Sequence, residues 1–222
     1  GAQHSQALHS FFMHVPGLKV VAPSFPSDAK GAMIAAIRDD NPVVFIEHRM
    51  LYSLNEHVSS EPYASEEGKA RILREGSDIT IVAISHMVVE SLRAHKHLEK
   101  IGISAEIIDP IWLSPLDIDS IVASVEKTER LLVVDNAWLS CGASSEICLQ
   151  VIERLQLLKK IQVERLGYAD TPCPTTKSLE IMFYPNPSII ASKAYSMIHP
   201  NKKSWSPSVK ESEEVANFKG PF

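Results

Sequence analysis

The chain has 222 residues, 45% of them hydrophobic and 22% charged, with a formal net charge of −5 at pH 7. An acidic balance without any basic block argues against a binder of nucleic acid or anionic membrane, and the longest apolar runs are of strand length, too short to span a bilayer. A chain this long buries roughly 70% of its unfolded surface, so it needs no disulfide or metal staple. Its three cysteines, Cys141, Cys148 and Cys173, form no CxxC pair and suit a reducing compartment.

Residues 1–14, GAQHSQALHSFFMH, open as a polar loop and pass into a short helix that Ser5 is placed to cap, with Leu8, Phe11 and Phe12 as its apolar residues. The chain begins at Gly1 inside this loop, which reads as the C-terminal portion of a longer protein. Val15-Pro16-Gly17 breaks the helix. Leu18 to Ala22 is a short run rich in β-branched residues, stopped by Pro23. Ser27 or Asp28 can cap the next helix, with Ala29, Met33, Ile34 and Ile37 along one side at three- and four-residue spacing. Asp39, Asp40 and Asn41 end it before Pro42, and Val43 to Ile46 has the look of a buried parallel strand. Residues 18–48 thus form a βαβ unit.

Residues 49–67 have no sustained period and are longer than the usual connection, so they are expected to be a linker. A second α/β pattern follows. Strands are expected at 70–73, 79–84, 105–108, 131–134 and 161–166. Ser85 is placed to cap a helix to about Glu99, closed by Gly102; Asp117 caps another through Ile118, Ile121, Val122 and Val125. Helices over 143–158 and 187–198 complete a largely parallel sheet covered on both faces. Residues 199–222 are polar, with prolines and charges, and are expected to be mobile or to wrap over a partner.

The ordered series QHSQ at 3–6, PGLKVVAPS at 16–24, DAKG at 28–31, AIRDDNPVVFIEH at 36–48, GKARILREGSDITIVA at 68–83, EIIDP at 106–110, SPLDIDSI at 114–121, SSEI at 144–147 and TPCP at 171–174 resembles the β subunit of thiamine-diphosphate-dependent 2-oxo acid dehydrogenases, of the transketolase type. The resemblance implies an α/β fold: residues 1–48 as the second half of a pyrimidine-binding domain, 68–198 as a transketolase C-terminal domain-like three-layer α/β/α unit with a mixed five-stranded sheet, and 199–222 as a mobile tail. It also implies an oxidoreductase working on pyruvate or a related 2-oxo acid, with acyl transfer to a lipoyl group. Such a chain acts only in a heterotetramer, with an α-type subunit and a second β subunit, docked to a lipoyl acyltransferase. Its thiamine diphosphate and magnesium are held mostly by the α-type chain. The compartment is the cytoplasm, or the mitochondrial matrix in a eukaryote.

Among residues present here, the resemblance assigns a catalytic role to His4 alone, as a hydrogen-bonding or proton-exchanging imidazole next to the reacting centre. Read without it, His4 is a loop histidine making local hydrogen bonds. His4, His9 and His14 are five apart, a poor spacing for a shared metal site on a helix; packed or solvated histidines account for them better. The resemblance further implies a structural potassium ion at the corner formed by Ala36, Ile37, Asp39 and Asn41, where a helix end offers unpaired carbonyls. Two departures stand out. An arginine of the family is replaced by Ile111, and the chain continues some two dozen residues past Ile198, where the family tends to end. A transketolase-like two-carbon transferase and a non-catalytic dimerisation or regulatory module are the alternative readings.

Overall fold

The computed structural model describes residues 2–208. A 3-10 turn at Ala2–His4 leads to α1 (His9–Met13), β1 (Lys19–Val21), α2 (Pro26–Arg38) and β2 (Val43–Phe45). β1 and β2 pair in parallel, Lys19 opposite Val43 and Val21 opposite Phe45, as expected for a βαβ unit. After a second 3-10 turn at Arg49–Leu51 the chain runs irregularly to β3 (Arg71–Arg74), β4 (Ile79–Ala83), α3 (His86–Glu99) and β5 (Ala105–Asp109). Next come β6 (Trp112–Ser114), α4 (Ile118–Thr128), β7 (Arg130–Trp138), α5 (Ala143–Leu155), β8 (Gln162–Tyr168), α6 (Lys177–Glu180) and α7 (Pro187–Ile198).

The larger sheet has five strands in the order β3-β5-β4-β7-β8, and β3 alone is antiparallel. β4 and β5 are buried along their whole length, which is why their sequences are unbroken apolar runs instead of alternating ones. The two faces still separate by parity, as side chains on a strand must. Ile79, Ile81 and Ala83 join Leu132 and Val134 under α3 and α7, while Val82 and Ile84 join Leu131 and Val133 under α4 and α5. Asp117 caps α4 as expected, its Oδ1 accepting from Ser120 N–H at 3.2 Å.

The second sheet, β2-β1-β6, was only partly foreseeable. Its third strand, β6, comes from the far half of the chain and lies antiparallel to β1, with Val20 opposite Ser114 and Val21 opposite Trp112. The segment read as a departure from the family is therefore a structural bridge between the sheets. Ile111 is buried beside Trp112, Val21 and Ala32, and its carbonyl accepts from Ala22 N–H at 2.8 Å. Its backbone sits at φ 55, where a branched side chain is strained.

Four local expectations need correction. α1 starts at His9, not near Ser5; Leu8 holds the N-cap position with no side-chain cap, and Leu8, Phe11 and Phe12 face outward while His9 turns in. On α2 the buried residues are Gly31 and Ala32, and Met33 and Ile37 are exposed. The reason is close packing: a Cβ at Gly31 would come within 2.9 Å of the Tyr63 ring, so this face must be small. Ser85 sits at the N-cap of α3 without capping it, its backbone at φ 53 and ψ −127. α5 ends at Leu155, leaving Leu157 and Leu158 exposed.

Residues between β2 and β3 are irregular but fastened to α2. Tyr63 Oη donates to Ser27 O at 2.7 Å, Ser65 N–H to Gly31 O at 3.0 Å, and the Lys30 ammonium to Ser60 O and Glu61 O at 3.3 and 3.0 Å. Beyond α7, Trp205 packs on Tyr195, ring centres 5.4 Å apart, and Pro207 is buried. The rest of the segment expected to be mobile, 209–222, lies outside the described residues.

Candidate active site

In an open α/β sheet, ligands are met where the parallel strands end. Here the ends of β7 and β8 carry an aromatic cluster of Tyr168, Phe183 and Tyr184 around the buried Cys173, whose Sγ lies 3.3 Å from Tyr184 Oη. Ala7 and Trp138 pack against it. The chain's first residues are thus laid across the ends of the central strands. His4 sits on the opening 3-10 turn, exposed.

Two turns of chain further on, His9 Nε2 lies 3.0 Å from Asp135 Oδ1, both side chains closed off from solvent. This pair was not foreseen as a unit. Its one signal in the sequence is an acidic residue directly after the apolar run Leu131 to Val134. Beside it, Ala7, Leu8, Phe11, the 113–116 segment and the 137–146 turn enclose a half-open groove of about 1050 Å³.

The four positions expected to hold a cation meet at the end of α2. Asp39 is the C-cap, and its N–H donates weakly to Ala36 O at 3.4 Å. Its Oδ1 accepts from Asn41 N–H at 2.7 Å and from Asn41 Nδ2 at 3.0 Å, while Oδ2 is paired with the Lys19 ammonium. Lys19 also reaches Glu67 Oε2 at 2.6 Å. These contacts hold the Asp39 carboxyl well below the usual range, the Lys19 hydrogen bond first among the causes, and raise Lys19. The carboxylate is therefore already satisfied. A cation held at this corner by the backbone oxygens of Ala36, Ile37, Asp39 and Asn41 would not draw on the Asp39 carboxylate, which Lys19 and Asn41 already occupy.

A second charged group lies where β5 passes to β6. Asp109 is fully buried and accepts from Ile111 N–H at 2.9 Å. Burial pushes its carboxyl up to about 7, while the Arg71 guanidinium opposes that. Arg71, opposite Asp109 in the β3–β5 ladder, is itself claimed by Asp28 at 2.9 Å and Glu56 at 3.7 Å.

A five-stranded mixed sheet with only its first strand reversed, flanked by helices, with a βαβ unit laid against it, defines an α/β protein of transketolase type. Family models agree: "Transketolase, C-terminal domain" matches residues 68–190, and "Transketolase, pyrimidine binding domain" matches residues 1–55. The chain belongs to the transketolase family. It is 45% identical over 193 residues to the β subunit of acetoin:2,6-dichlorophenolindophenol oxidoreductase of Cupriavidus necator, covering 87% of this chain and 57% of that one. It is equally 45% identical, over 184 residues, to the β subunit of the pyruvate dehydrogenase E1 component of Bacillus subtilis, covering 82% and 56%. The chain thus spans a little over half the length of these relatives. Among solved structures, a split-gene transketolase described as an inactive β4 tetramer superposes with a TM-score of 0.72 at 24% identity, covering 91% of this chain and 64% of that one. That likeness speaks to the fold. No helix among the described residues is long and apolar enough to cross a membrane.

Proposed function

We propose that this chain is a β-type component of a thiamine-diphosphate-dependent 2-oxo acid dehydrogenase. Residues 1–48 are read as half of a pyrimidine-binding domain and 68–198 as the C-terminal domain, joined by 49–67. What carries the reading is the 45% identity to a pyruvate dehydrogenase E1 β subunit over 82% of this chain. The equal identity to an acetoin oxidoreductase β subunit puts acetoin beside pyruvate as a substrate to test.

In this reading an α-type partner grips the diphosphate and its magnesium, and two such pairs form a heterotetramer in the cytoplasm or mitochondrial matrix. When bound, thiamine diphosphate supplies the reactive carbon and takes up the electrons released from the substrate. His4 is the side chain this polypeptide brings to that site. Its exposure on a turn fits one wall of a pocket that a partner completes. Its imidazole donates to, or takes a proton from, an oxygen of the substrate. In the same reading a structural potassium ion rests on the backbone oxygens of Ala36, Ile37, Asp39 and Asn41. The lipoyl acyltransferase is assigned as downstream partner.

The test is co-expression of the full-length gene product with an α-type subunit, followed by calorimetric titration with thiamine diphosphate and magnesium and by dye reduction with pyruvate and with acetoin. Binding and turnover are expected only in the assembly. His4→Ala is expected to lower turnover roughly 100-fold, the lower end of what a proton-transferring group contributes. Full activity of the chain alone, or an assembly inert to both substrates, overturns the reading. Melting in KCl against NaCl at equal ionic strength checks the cation.

A further inference from the structure

We propose that the buried His9–Asp135 pair is the positioning clamp of the His4 loop, fixing that loop to the central sheet; the part this plays in catalysis rests on the function proposed above. The local sequence cannot do the work. α1 has only five residues and no side-chain cap, and an isolated helix that short does not hold its shape in water. Leu8, Phe11 and Phe12 point away from the core. What ties α1 down is Met13 against the core beneath α5, and His9 against Asp135.

Asp135 is a good anchor because of where it stands. It directly follows Val134, the last residue of the nine-residue β7 that is in register with both β4 and β8, and it opens the stretch where the β7–β8 register shifts before Trp138. His4 lies five residues before His9 and three before Ala7, which rests on the Tyr168–Phe183 cluster. Five residues reach at most about 18 Å when extended, so a fixed His9 confines His4 to the ends of β7 and β8.

The choice of residues supports placement over stability. Asp135 and His9 are 0% and 1% exposed, and burying such polar groups carries a desolvation penalty that apolar side chains of similar volume would avoid. An apolar pair would pack as well and could slide. A buried imidazole and carboxylate 3.0 Å apart, with no other polar partner for either contacting atom among the described residues, lose that contact if α1 slides. His9 and Asp135 are positioning residues, since neither is exposed to meet a substrate.

The experiment uses the full-length chain, alone and assembled with an α-type subunit. In the double variant His9→Leu with Asp135→Val no charge is left orphaned, so melting is expected within a few degrees of wild type. Amide exchange over residues 3–9, read by mass spectrometry, is expected to rise at least tenfold. In the assembly, kcat falls at least tenfold with KM nearly unchanged. His9→Gln, which keeps a polar side chain facing Asp135, is expected to restore protection and kcat. Wild-type exchange in the double variant overturns the clamp, as does His9→Gln behaving like the double variant. Should the double variant not fold, Asp135→Asn is judged by the same standard: faster loop exchange at unchanged melting sustains the clamp, and unchanged exchange overturns it. If the exchange difference appears while the wild-type assembly oxidises neither pyruvate nor acetoin, the clamp stands and the functional reading falls.

Discussion

His48 and His86 stack face to face, ring centres 4.8 Å apart and planes within 9° of parallel, joining the end of the first βαβ unit to the first residue of α3. His48 Nδ1 accepts from Met50 N–H at 3.2 Å, so this ring is held as an acceptor. Burial, then the neighbouring His48, then Arg93, push His86 down to about 4, and burial lowers His48 too. Glu90 stands 3.8 Å from His86 but is occupied by Arg93 at 2.6 Å. The folded state therefore keeps both rings neutral where the unfolded chain takes up protons.

A lowered histidine contributes stability above its unfolded value of 6.5 and loses it as pH falls toward about 4. The melting temperature should fall across that window. His86→Phe, which keeps a flat ring on His48 but cannot titrate, should flatten the drop. Melting curves at half-unit steps from pH 7 to 4 check this, and equal slopes in the two proteins would refute it.

Asp109 works in the opposite sense. Its carboxyl titrates near 7 when folded against 3.8 when unfolded, so the folded state holds the extra proton. Stability from this group is complete below about 4 and is lost as pH rises to about 7. Asp109→Asn should remove that decline and gain most at pH 8. Urea midpoints at pH 5 and 8 for both proteins decide it; a variant that loses as much as wild type between them counts against the assignment.

Gly76 lies where no side chain fits. A Cβ there would stand 2.3 Å from the backbone of Ala105 and of Glu106, and backbone cannot swing aside. Gly76→Ala should cost on the order of 3 kcal/mol, as overpacking against fixed atoms does. Gly17 is the contrast: at φ 86 with nothing within 4 Å, Gly17→Ala should cost only about 1 kcal/mol of backbone strain. Chemical denaturation of the two variants side by side tests the ranking.

Core truncation gives a second ranking. Ile121 is fully buried under the sheet, whereas Leu157 is 92% exposed. Ile121→Ala should destabilise by about 2–5 kcal/mol, and Leu157→Ala by no more than about 0.5 kcal/mol. Comparable losses would mean that Leu157 is covered in the assembled protein.

The sequence revealed what depends on short-range pattern. Runs such as Ile79 to Ala83 and Leu131 to Val134 announced buried strands, and the last helix was expected from Pro187, where α7 starts and Asn186 Oδ1 accepts from Ile189 N–H at 3.0 Å. Hidden features were those set by distant partners. β6 has only three residues and starts two after Pro110, and only its pairing with β1, some ninety residues upstream, makes it a strand. Met33 and Ile37 match a helical stripe, yet contact with Tyr63 required the small face of α2 to turn inward. His4 was legible only through resemblance, because an exposed loop histidine has no pattern of its own. His9 and Asp135, 126 positions apart, had no local rule to connect them.

β1 has a neighbour on each side, β2 and β6. The smaller sheet therefore ends in two edge strands, β2 and β6. Among the described residues nothing pairs with the outer side of β2 at Val43–Phe45. A strand added at β2, whether from more of this polypeptide or from a neighbour, has a parallel or antiparallel choice to make there. Left uncovered, that same margin is where copies of this chain would stick to one another, so the length of gene expressed will govern how well it behaves in solution.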